Sequence, residues 1–342
     1  MKNFRVLITG GAGFIGSHVA DKLVAEGCEV LVLDNLSTGL AENLQHHLDI
    51  GKVSLFRGDI RDEGLVNGVV KEVDAIVHLA AITNVPNSVI HPVLTNEVNV
   101  GGTLNLLRAS LDGDVKRFLL VSSCAVYGEP HYVPVDEEHP TDPLSPYAAS
   151  KLAAEYYCRV FRHSYGLKTE VLRPFNVYGP RQRREDAYSG VITRFVDNLF
   201  CGKPLVVYGD GSQTRDFVHV YDVAEAVWLA LSVDGAVGQV LNVGYGESVK
   251  VGELAKMFGE FAGAQVEIVY EEPRPGDLKH SQADVTKAKK ILGYNPKIPL
   301  AEGLRNLLRA KKEIALETDD TSLLSRNERF ERTGLSETFL AT

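Results

Sequence analysis

Two side chains that could perform acid–base chemistry, Tyr147 and Lys151, stand four residues apart in the stretch Tyr147-Ala148-Ala149-Ser150-Lys151. Positions i and i+4 of a helix are neighbours, so this spacing places an ammonium beside a phenol. A nearby positive charge lowers the pKa of tyrosine from about 10, and the pair could then act as a general base near neutral pH. Ordinary surface pairs share this spacing, so the surrounding elements must decide between the two interpretations.

A glycine-rich segment near the N-terminus predicts a dinucleotide site. The apolar run Val6–Thr9 has the composition of a buried strand and leads directly into Gly10, Gly13 and Gly16, which open a helical pattern. Glycines in this setting permit a tight turn and close approach of a pyrophosphate to the positive end of the helix. The spacing is Gly-x-x-Gly-x-x-Gly rather than the commoner Gly-x-Gly-x-x-Gly.

An acidic residue ends the second predicted strand, Glu29–Leu33, which is followed by Asp34 and Asn35. A carboxylate at this position can bind both ribose hydroxyls of an adenosine and would repel a 2′-phosphate. No arginine follows it immediately, so the sequence favours NAD over NADP. The alternative interpretation is an aspartate that caps a helix or a turn.

Strands and helical segments alternate along the first half of the chain. Further strands are predicted over 53–56, 74–78 and 117–121. This pattern predicts an α/β fold with a Rossmann-type, doubly wound parallel sheet, which binds ligands at the carboxyl ends of its strands.

Small and polar residues follow these predicted strand ends. Ala80 and Ala81 would leave room for a cofactor, and the serines Ser122 and Ser123 could donate a hydroxyl to a substrate oxygen. Asn99 lies within a predicted helix over 93–110, where its side chain could be buried against the sheet.

Length, charge and composition bound the class of protein. The 342 residues suffice for two lobes or one large α/β domain, and 44% hydrophobic and 24% charged residues are ordinary values for a globular protein. A net charge of −9 argues against nucleic-acid and anionic-membrane partners, so an anionic ligand would need local arginines. The chain shows no bilayer-length apolar run and no signal-peptide pattern, which predicts a cytosolic protein. The four cysteines match no metal or disulfide pattern and are expected to be reduced.

Taken in order, the motifs resemble those of the extended short-chain dehydrogenase/reductases that act on nucleotide sugars. The resemblance spans residues 4–310 and rests on the segments 10–16, 34–39, 59–60, 78–81, 122–123, 147–151, 172–182, 188–195, 209–220, 274–277 and 283–288. It implies a large NAD-binding Rossmann lobe, residues 1–173 re-entered at 217–243, and a smaller C-terminal α/β lobe, residues 174–216 and 244–317, that binds the nucleotide sugar. The polar tail, residues 318–342, extends past the family region and is assigned no function.

The resemblance also implies roles for individual residues. The catalytic residues would be Ser123, Tyr147 and Lys151. NAD would be bound by Gly10, Gly13, Phe14, Ile15, Gly16, Asp34, Asn35, Ser37, Thr38, Gly39, Asp59, Ile60, Leu79, Ala80, Ala81, Asn99, Tyr147, Lys151 and Phe175. The UDP-sugar substrate would be bound by Ser123, Tyr147, Asn176, Val191, Tyr208, Arg215, Arg274, Asp277 and Ser281.

Two of these arginines, Arg215 and Arg274, are expected on the diphosphate because a guanidinium pairs bidentately with phosphate oxygens. Asp277 would then accept from the nucleotide ribose. The cluster of Arg181, Arg183 and Arg184 is followed by two acidic residues and is expected to form a solvated loop.

In the implied reaction, Tyr147 removes the proton of a sugar hydroxyl while its carbon gives hydride to NAD. Lys151 holds the nicotinamide ribose and keeps Tyr147 acidic, and Ser123 hydrogen-bonds the same oxygen. Related dehydratases carry an Asp-Glu pair, and decarboxylases a glutamate, where this chain has Cys124 and Ala125. Neither can act as a carboxylate, which leaves rotation of the ketone and hydride return to its opposite face. The expected activity is 4-epimerisation.

The identity of the sugar is predicted less sharply. Ser281 is small where the family places a wall of the sugar pocket, which predicts activity on UDP-glucose/UDP-galactose and also on UDP-GlcNAc/UDP-GalNAc. UDP-glucuronate is the alternative substrate: residues 188–191 resemble the neutral-sugar enzymes, yet Arg184 could reach a carboxylate. A catalytically silent NAD-binding protein is the alternative class, and the base, uridine or thymidine, stays open. A homodimer is expected through the helices over 93–110 and 147–165.

Overall fold

The computed structural model describes residues 4–183, 190–262, 266–274 and 277–317, with side chains to residue 313. Its strands are β1 (Arg5–Thr9), β2 (Glu29–Asp34), β3 (Val53–Arg57), β4 (Ala75–His78), β5 (Arg117–Val121), β6 (Thr169–Pro174), β7 (Asn176–Tyr178), β8 (Leu205–Tyr208), β9 (Thr214–Arg215), β10 (Phe217–His219), β11 (Val240–Val243), β12 (Val249–Lys250) and β13 (Ile268–Glu271).

The helices of the described residues lie between and after these strands. They are α1 (Phe14–Ala25), α2 (Gln45–Asp49), α3 (Glu63–Val70), α4 (Val85–Ile90), α5 (Pro92–Asn96), α6 (Gly102–Asp112), α7 (Pro146–Tyr165), α8 (Val191–Phe200), α9 (Val220–Ser232), α10 (Val251–Ala262), α11 (Thr286–Leu292) and α12 (Leu300–Glu317). Short 3₁₀ turns occur at Ala41–Leu44, Cys124–Tyr127 and Asp234–Ala236, and a π-helical turn occurs at Glu97–Gly101.

Seven strands form one parallel sheet in the order β11-β6-β5-β4-β1-β2-β3. The direction of winding reverses between β1 and β4, because β2 and β3 continue on one side and β5, β6 and β11 on the other. In such sheets the crevice at the carboxyl ends beside the reversal point is the usual ligand site.

Side chains of the sheet alternate between two buried cores. Leu7 lies beside Leu31 and Ile76 in neighbouring strands, and all three face the core that α3, α6 and α7 cover. Val6 and Ile8 point to the opposite core, which α1, α9 and α11 cover. Burial on both faces explains why the central strands are almost continuously apolar, as parallel strands between helices usually are.

A smaller group of elements surrounds a third core. The pairs β7–β10 and β8–β13 are parallel, β9–β12 is antiparallel, and α8, α10 and α12 pack against them. The predicted fold class, a doubly wound parallel sheet with a smaller C-terminal α/β part, is therefore confirmed. The exact division into two lobes at the predicted boundaries stays a prediction.

The helix predicted over 93–110 is present, but it contains the π-helical turn at Glu97–Gly101 between α5 and α6. Such a turn inserts an extra residue into a helix and is frequent near functional sites. Among the described residues, no helix has both the length and the apolar character to cross a bilayer. The four cysteines lie within the described residues and form no disulfide.

Candidate active site

The catalytic residues predicted from the sequence meet at the carboxyl edge of the large sheet. Helix α7 begins at Pro146, and the Ser145 hydroxyl caps it by accepting from the Ala148 N–H at 3.1 Å. Tyr147 and Lys151 occupy successive turns of this helix and are both buried. Ser123 follows β5, and its hydroxyl oxygen accepts from the Ala125 N–H at 3.1 Å. The Ser123 hydroxyl proton remains free to donate, and Ser123 forms a hydrogen bond with the Tyr147 phenol.

Burial dominates the electrostatics of this pair. Burial raises the pKa of Tyr147 to about 12, and the hydrogen bond from Ser123 offsets this only in part. Burial also lowers the pKa of Lys151 to about 8, against the opposing charge of Glu155. Burial therefore favours the neutral phenol, and the acidic Tyr147 expected from its spacing to Lys151 stays a prediction.

A buried ion pair joins α7, which carries Tyr147 and Lys151, to β6. Glu155, one turn after Lys151, accepts from Arg173 of β6, with Nε to Oε1 at 3.0 Å and Nη2 to Oε2 at 2.5 Å. Ser122 donates to the same carboxylate at 2.5 Å. The guanidinium of Arg173 also lies 4.7 Å from the ring centroid of Tyr127. The network thus ties the ends of β5 and β6 to α7, and it was not predicted from the sequence.

Asn99 lies in the π-helical turn and connects two parts of the site. Its Oδ1 accepts from the Ile82 N–H at 2.7 Å, and its Nδ2 donates to the Ile82 carbonyl and to the Ser150 hydroxyl at 3.0 and 2.9 Å. Ser150 in turn donates to the Tyr147 carbonyl at 2.7 Å. All of these contacts are internal, so Asn99, predicted as a cofactor ligand, holds the segment after β4 against α7.

A chain of hydrogen bonds connects α6, β4 and β1 through Thr103, His78 and Thr9. Thr103 donates to the Asn99 carbonyl, so its oxygen must accept from His78 Nε2–H at 2.9 Å. His78 Nδ1 then accepts from the Thr9 hydroxyl at 2.7 Å, and Thr9 accepts from the Ala80 N–H at 3.3 Å. Burial lowers the pKa of His78 to about 3, and the charge of Lys151 acts in the same direction. Neutral His78 therefore fixes β1 to β4 and α6.

The glycine loop fits a dinucleotide. Gly10 has φ of +72°, and a Cβ there would lie 2.8 Å from the Ala80 nitrogen. A Cβ on Gly16 would collide with the Gly10 carbonyl oxygen. Helix α1 begins after Gly13 without a side-chain cap, so the N–H groups of its first turn, which includes Phe14 and Ile15, remain available to an anion.

The predicted adenosine-side residues form a second cluster. Asp34 accepts from the Ala12 N–H at 3.0 Å and from the Leu36 N–H at 2.8 Å, while burial raises its pKa. Asp59 is paired with the Arg61 guanidinium, which lowers its pKa to about 2, and it also accepts from Asn35 Nδ2 at 3.3 Å. These carboxylates border the loop that carries the exposed Ser37 and Thr38 and the buried Gly39.

The remaining residues predicted to bind NAD are either half-buried or fully buried. Leu79, Ala80 and Ala81 are half-buried at the end of β4. Ile60 and Phe175 are buried in the apolar cores, and Phe175 packs beside Tyr127. Together, the glycine cradle, the helix terminus and Asp34 fit NAD as the group held by this edge.

A separate cavity of about 210 Å³ lies among the smaller elements. Its lining includes six of the predicted substrate residues: Asn176, Val191, Tyr208, Arg215, Arg274 and Asp277. The Arg274 guanidinium lies 3.8 Å from the Tyr208 ring centroid, and Arg215 Nη2 lies 3.0 Å from Asp277 Oδ1.

The lining residues that were not predicted from the sequence include Gln182, Arg194 and Gln213. Arg194 stands in a segment that carried the family resemblance, but its orientation depends on how α8 packs.

Ser281 lies beside this cavity and does not line it. It is buried, and its N–H donates to the Thr214 carbonyl at 3.1 Å, next to Arg215. Cys124 connects the two regions, because its thiol lies close enough to Arg215 for that charge to lower its pKa and also adjoins Tyr147. The pKa of Cys124 nevertheless rises to about 12 through burial.

Of the predicted basic loop, Arg181 binds Asp21 on α1 at 2.8 Å. Arg184, Tyr188, Ser189, Pro275, Gly276 and the tail 318–342 lie outside the described residues.

Comparison with known proteins places this arrangement in context. The sequence profile described as GDP-mannose 4,6 dehydratase matches residues 7–307. The UDP-glucose 4-epimerase of Thermus thermophilus, solved in complex with NAD, is 42% identical, with a TM-score of 0.81 and coverage of 89% of this chain and 98% of that chain.

Two further solved structures cover the chain equally well. The UDP-glucose 4-epimerase of Thermotoga maritima, solved with UDP-glucose, is 38% identical with a TM-score of 0.86, covering 91% of this chain and 99% of that chain. The UDP-N-acetylglucosamine 4-epimerase of Methanobrevibacter ruminantium, solved in complex with UDP-N-acetylmuramic acid, is 36% identical with a TM-score of 0.86, covering 90% and 98%.

Proposed function

The chain belongs to the extended short-chain dehydrogenase/reductase family of NAD-dependent nucleotide-sugar epimerases and dehydratases, and on that basis we propose that it is a 4-epimerase of UDP-hexoses. The substrates are UDP-glucose and UDP-galactose, and also UDP-GlcNAc and UDP-GalNAc. The relatives solved with NAD and with UDP-glucose support this choice of cofactor and nucleotide. The cytosol as its compartment stays a prediction.

The observation that carries the proposal is the hydrogen bond between Ser123 and Tyr147, with Cys124 beside them where an acid would be needed for elimination. The Cys124 thiol has a pKa raised to about 12, so it supplies neither acid nor base at neutral pH. The nearby carboxylate of Asp216 accepts from the N–H groups of Tyr245, Gly246 and Ala283, which holds it away from a substrate. A ketone formed here has no carboxylate partner among these residues to divert it.

The steps assigned to the chain follow from these positions. NAD, when bound, supplies the hydride acceptor and a positive ring that favours the Tyr147 phenolate. Tyr147 removes the proton of the C4 hydroxyl, and Ser123 donates a hydrogen bond to the same oxygen. After the 4-keto sugar has rotated, its opposite face would take the hydride back at C4, and Tyr147 returns the proton to the C4 oxygen.

Substrate breadth rests on Ser281. Its side chain is small and buried next to the strand that carries Arg215, so a larger side chain at this position would have to displace its neighbours. The proposal that the site admits an N-acetyl group follows from that lack of bulk.

We also propose a homodimer. Helices α4, α5 and α7 pack together and expose large apolar side chains, among them Ile90 and Val93, which are 70% and 69% exposed, and Val160. Large apolar side chains exposed on neighbouring helices are a feature of interaction surfaces. Sedimentation of Val160→Glu should show monomers where the wild type shows dimers; unchanged sedimentation would place the contact elsewhere.

The experiment that tests the function is an assay of the purified protein with UDP-glucose, UDP-GlcNAc and UDP-glucuronate as separate substrates. Conversion of the first two to their C4 epimers is expected. Tyr147→Phe should lower turnover by about 10²-fold or more with NAD still bound, whereas Tyr156→Phe, an exposed tyrosine of the same helix, should have no effect. Full turnover in Tyr147→Phe would refute the mechanism, and conversion of UDP-glucuronate alone would replace the proposed substrate.

A further inference from the structure

We infer that Arg194 is a third cationic ligand of the diphosphate, beside Arg215 and Arg274. It lies on α8, one turn after the helix begins at Val191, and its side chain lines the cavity that also contains the other two arginines. The inference rests on the proposed function, since it takes the ligand to be a nucleoside diphosphate.

The surroundings of Arg194 favour a ligand-binding role. Its guanidinium carbon lies 5.3 Å from the Tyr208 ring centroid, and Arg274 lies over the same ring. Its Nε–H is buried and has no hydrogen-bond partner. A buried donor without a partner is costly, because it has lost its water and gained nothing in exchange. An anion in the cavity would offset the cost of burying this guanidinium.

The charge of the cavity supports the same conclusion. Its described lining contains three arginines and one aspartate, which gives a net charge of +2. A nucleoside diphosphate ester carries a charge of about −2, so the two are complementary only if Arg194 is counted. Burial lowers the pKa of Arg194, and the neighbouring Arg274 lowers it further. Like charges held this close are stabilised by a dianion between them.

The test is a calorimetric comparison of UDP and UMP binding to the full-length protein and its variants. A charge-assisted hydrogen bond to phosphate corresponds to about 10- to 100-fold in affinity. Arg194→Gln should therefore bind UDP about 10- to 100-fold more weakly than the wild type does, and its affinity for UMP should decrease less. Arg194→Lys should recover part of the lost UDP affinity. The matched control is Arg305→Gln, an arginine stacked 4.3 Å from the Phe261 ring in the same part of the fold but outside the cavity lining.

The outcomes separate this inference from the proposed function. Equal UDP affinities of the wild type, Arg194→Gln and Arg194→Lys would overturn the role of Arg194 and leave the epimerase proposal standing. A wild-type protein that does not bind UDP would overturn both. An equal loss in Arg305→Gln would show a general effect of surface charge and would also overturn the inference.

Discussion

Removal of the Glu155 carboxylate is expected to lower the free energy of unfolding and to loosen the packing of α7 on β6. Glu155→Ala leaves the Arg173 guanidinium buried without its counter-ion, since both side chains are only 6% exposed. Nη1 of Arg173 already has no hydrogen-bond partner, and loss of the carboxylate would leave Nε and Nη2 without theirs. Ser122 loses its acceptor at the same time.

The size of this effect follows from the burial of the pair. Breaking a buried, hydrogen-bonded ion pair by removal of one partner costs about 3–5 kcal/mol. For a chain of this size, each kcal/mol lowers the unfolding midpoint by about 2 °C, so a decrease of about 6–10 °C is expected. Glu155→Gln keeps a hydrogen-bond acceptor for Arg173 and should lose less.

The assay is thermal unfolding followed by circular dichroism, with Glu72→Ala as the matched control. Glu72 forms an ion pair with Arg5 at 3.3 Å and is 59% exposed, so its removal should cost at most about 1 kcal/mol. A midpoint for Glu155→Ala within 2 °C of that control would refute the argument that this pair secures α7.

Three further predictions concern the cofactor edge and the sugar site. Gly16→Ala should abolish detectable NAD binding in a calorimetric titration, because the new Cβ collides with the Gly10 carbonyl oxygen. The control Gly259→Ala in α10, where a Cβ meets no atom within 4 Å, should bind NAD normally. Normal binding by both variants would contradict the role of the glycine loop in holding NAD. Burial lowers the pKa of His78 from 6.5 to about 3, so the stability that it contributes is fully present above pH 6.5 and is lost as pH falls toward 3. In this range the unfolding free energy of the wild type should fall about 1.4 kcal/mol per pH unit more steeply than that of His78→Gln. Parallel slopes would count against a buried neutral histidine. Ser281→Tyr should remove activity on UDP-GlcNAc and spare UDP-glucose in the same kinetic assay, and an equal loss on both would refute its role in specificity.

The parts of the protein that the sequence predicts well are those with local causes. The glycine loop, the strand ends at Asp34 and Ser123 and the helix of Tyr147 and Lys151 all follow from spacing, turn chemistry and apolar runs. The structure places them at one edge because parallel strands share a direction.

The parts that could not be predicted depend on tertiary packing. Glu155 and Arg173 are 18 residues apart in the chain and meet only because α7 packs on β6. The raised pKa of Tyr147 depends on burial, which the spacing to Lys151 does not report. Arg194 could be placed in the cavity only once the orientation of α8 was known.

The measurement that tests the central claim most directly is the fate of the hydrogen on C4 of the sugar. UDP-glucose labelled with deuterium at C4 should give UDP-galactose that retains the label at C4, because the hydride leaves and returns within one site while only the hydroxyl proton passes through Tyr147. Mass spectrometry of the product in ordinary water reads this directly. Epimerised product that has lost the label to solvent would contradict the proposed hydride return.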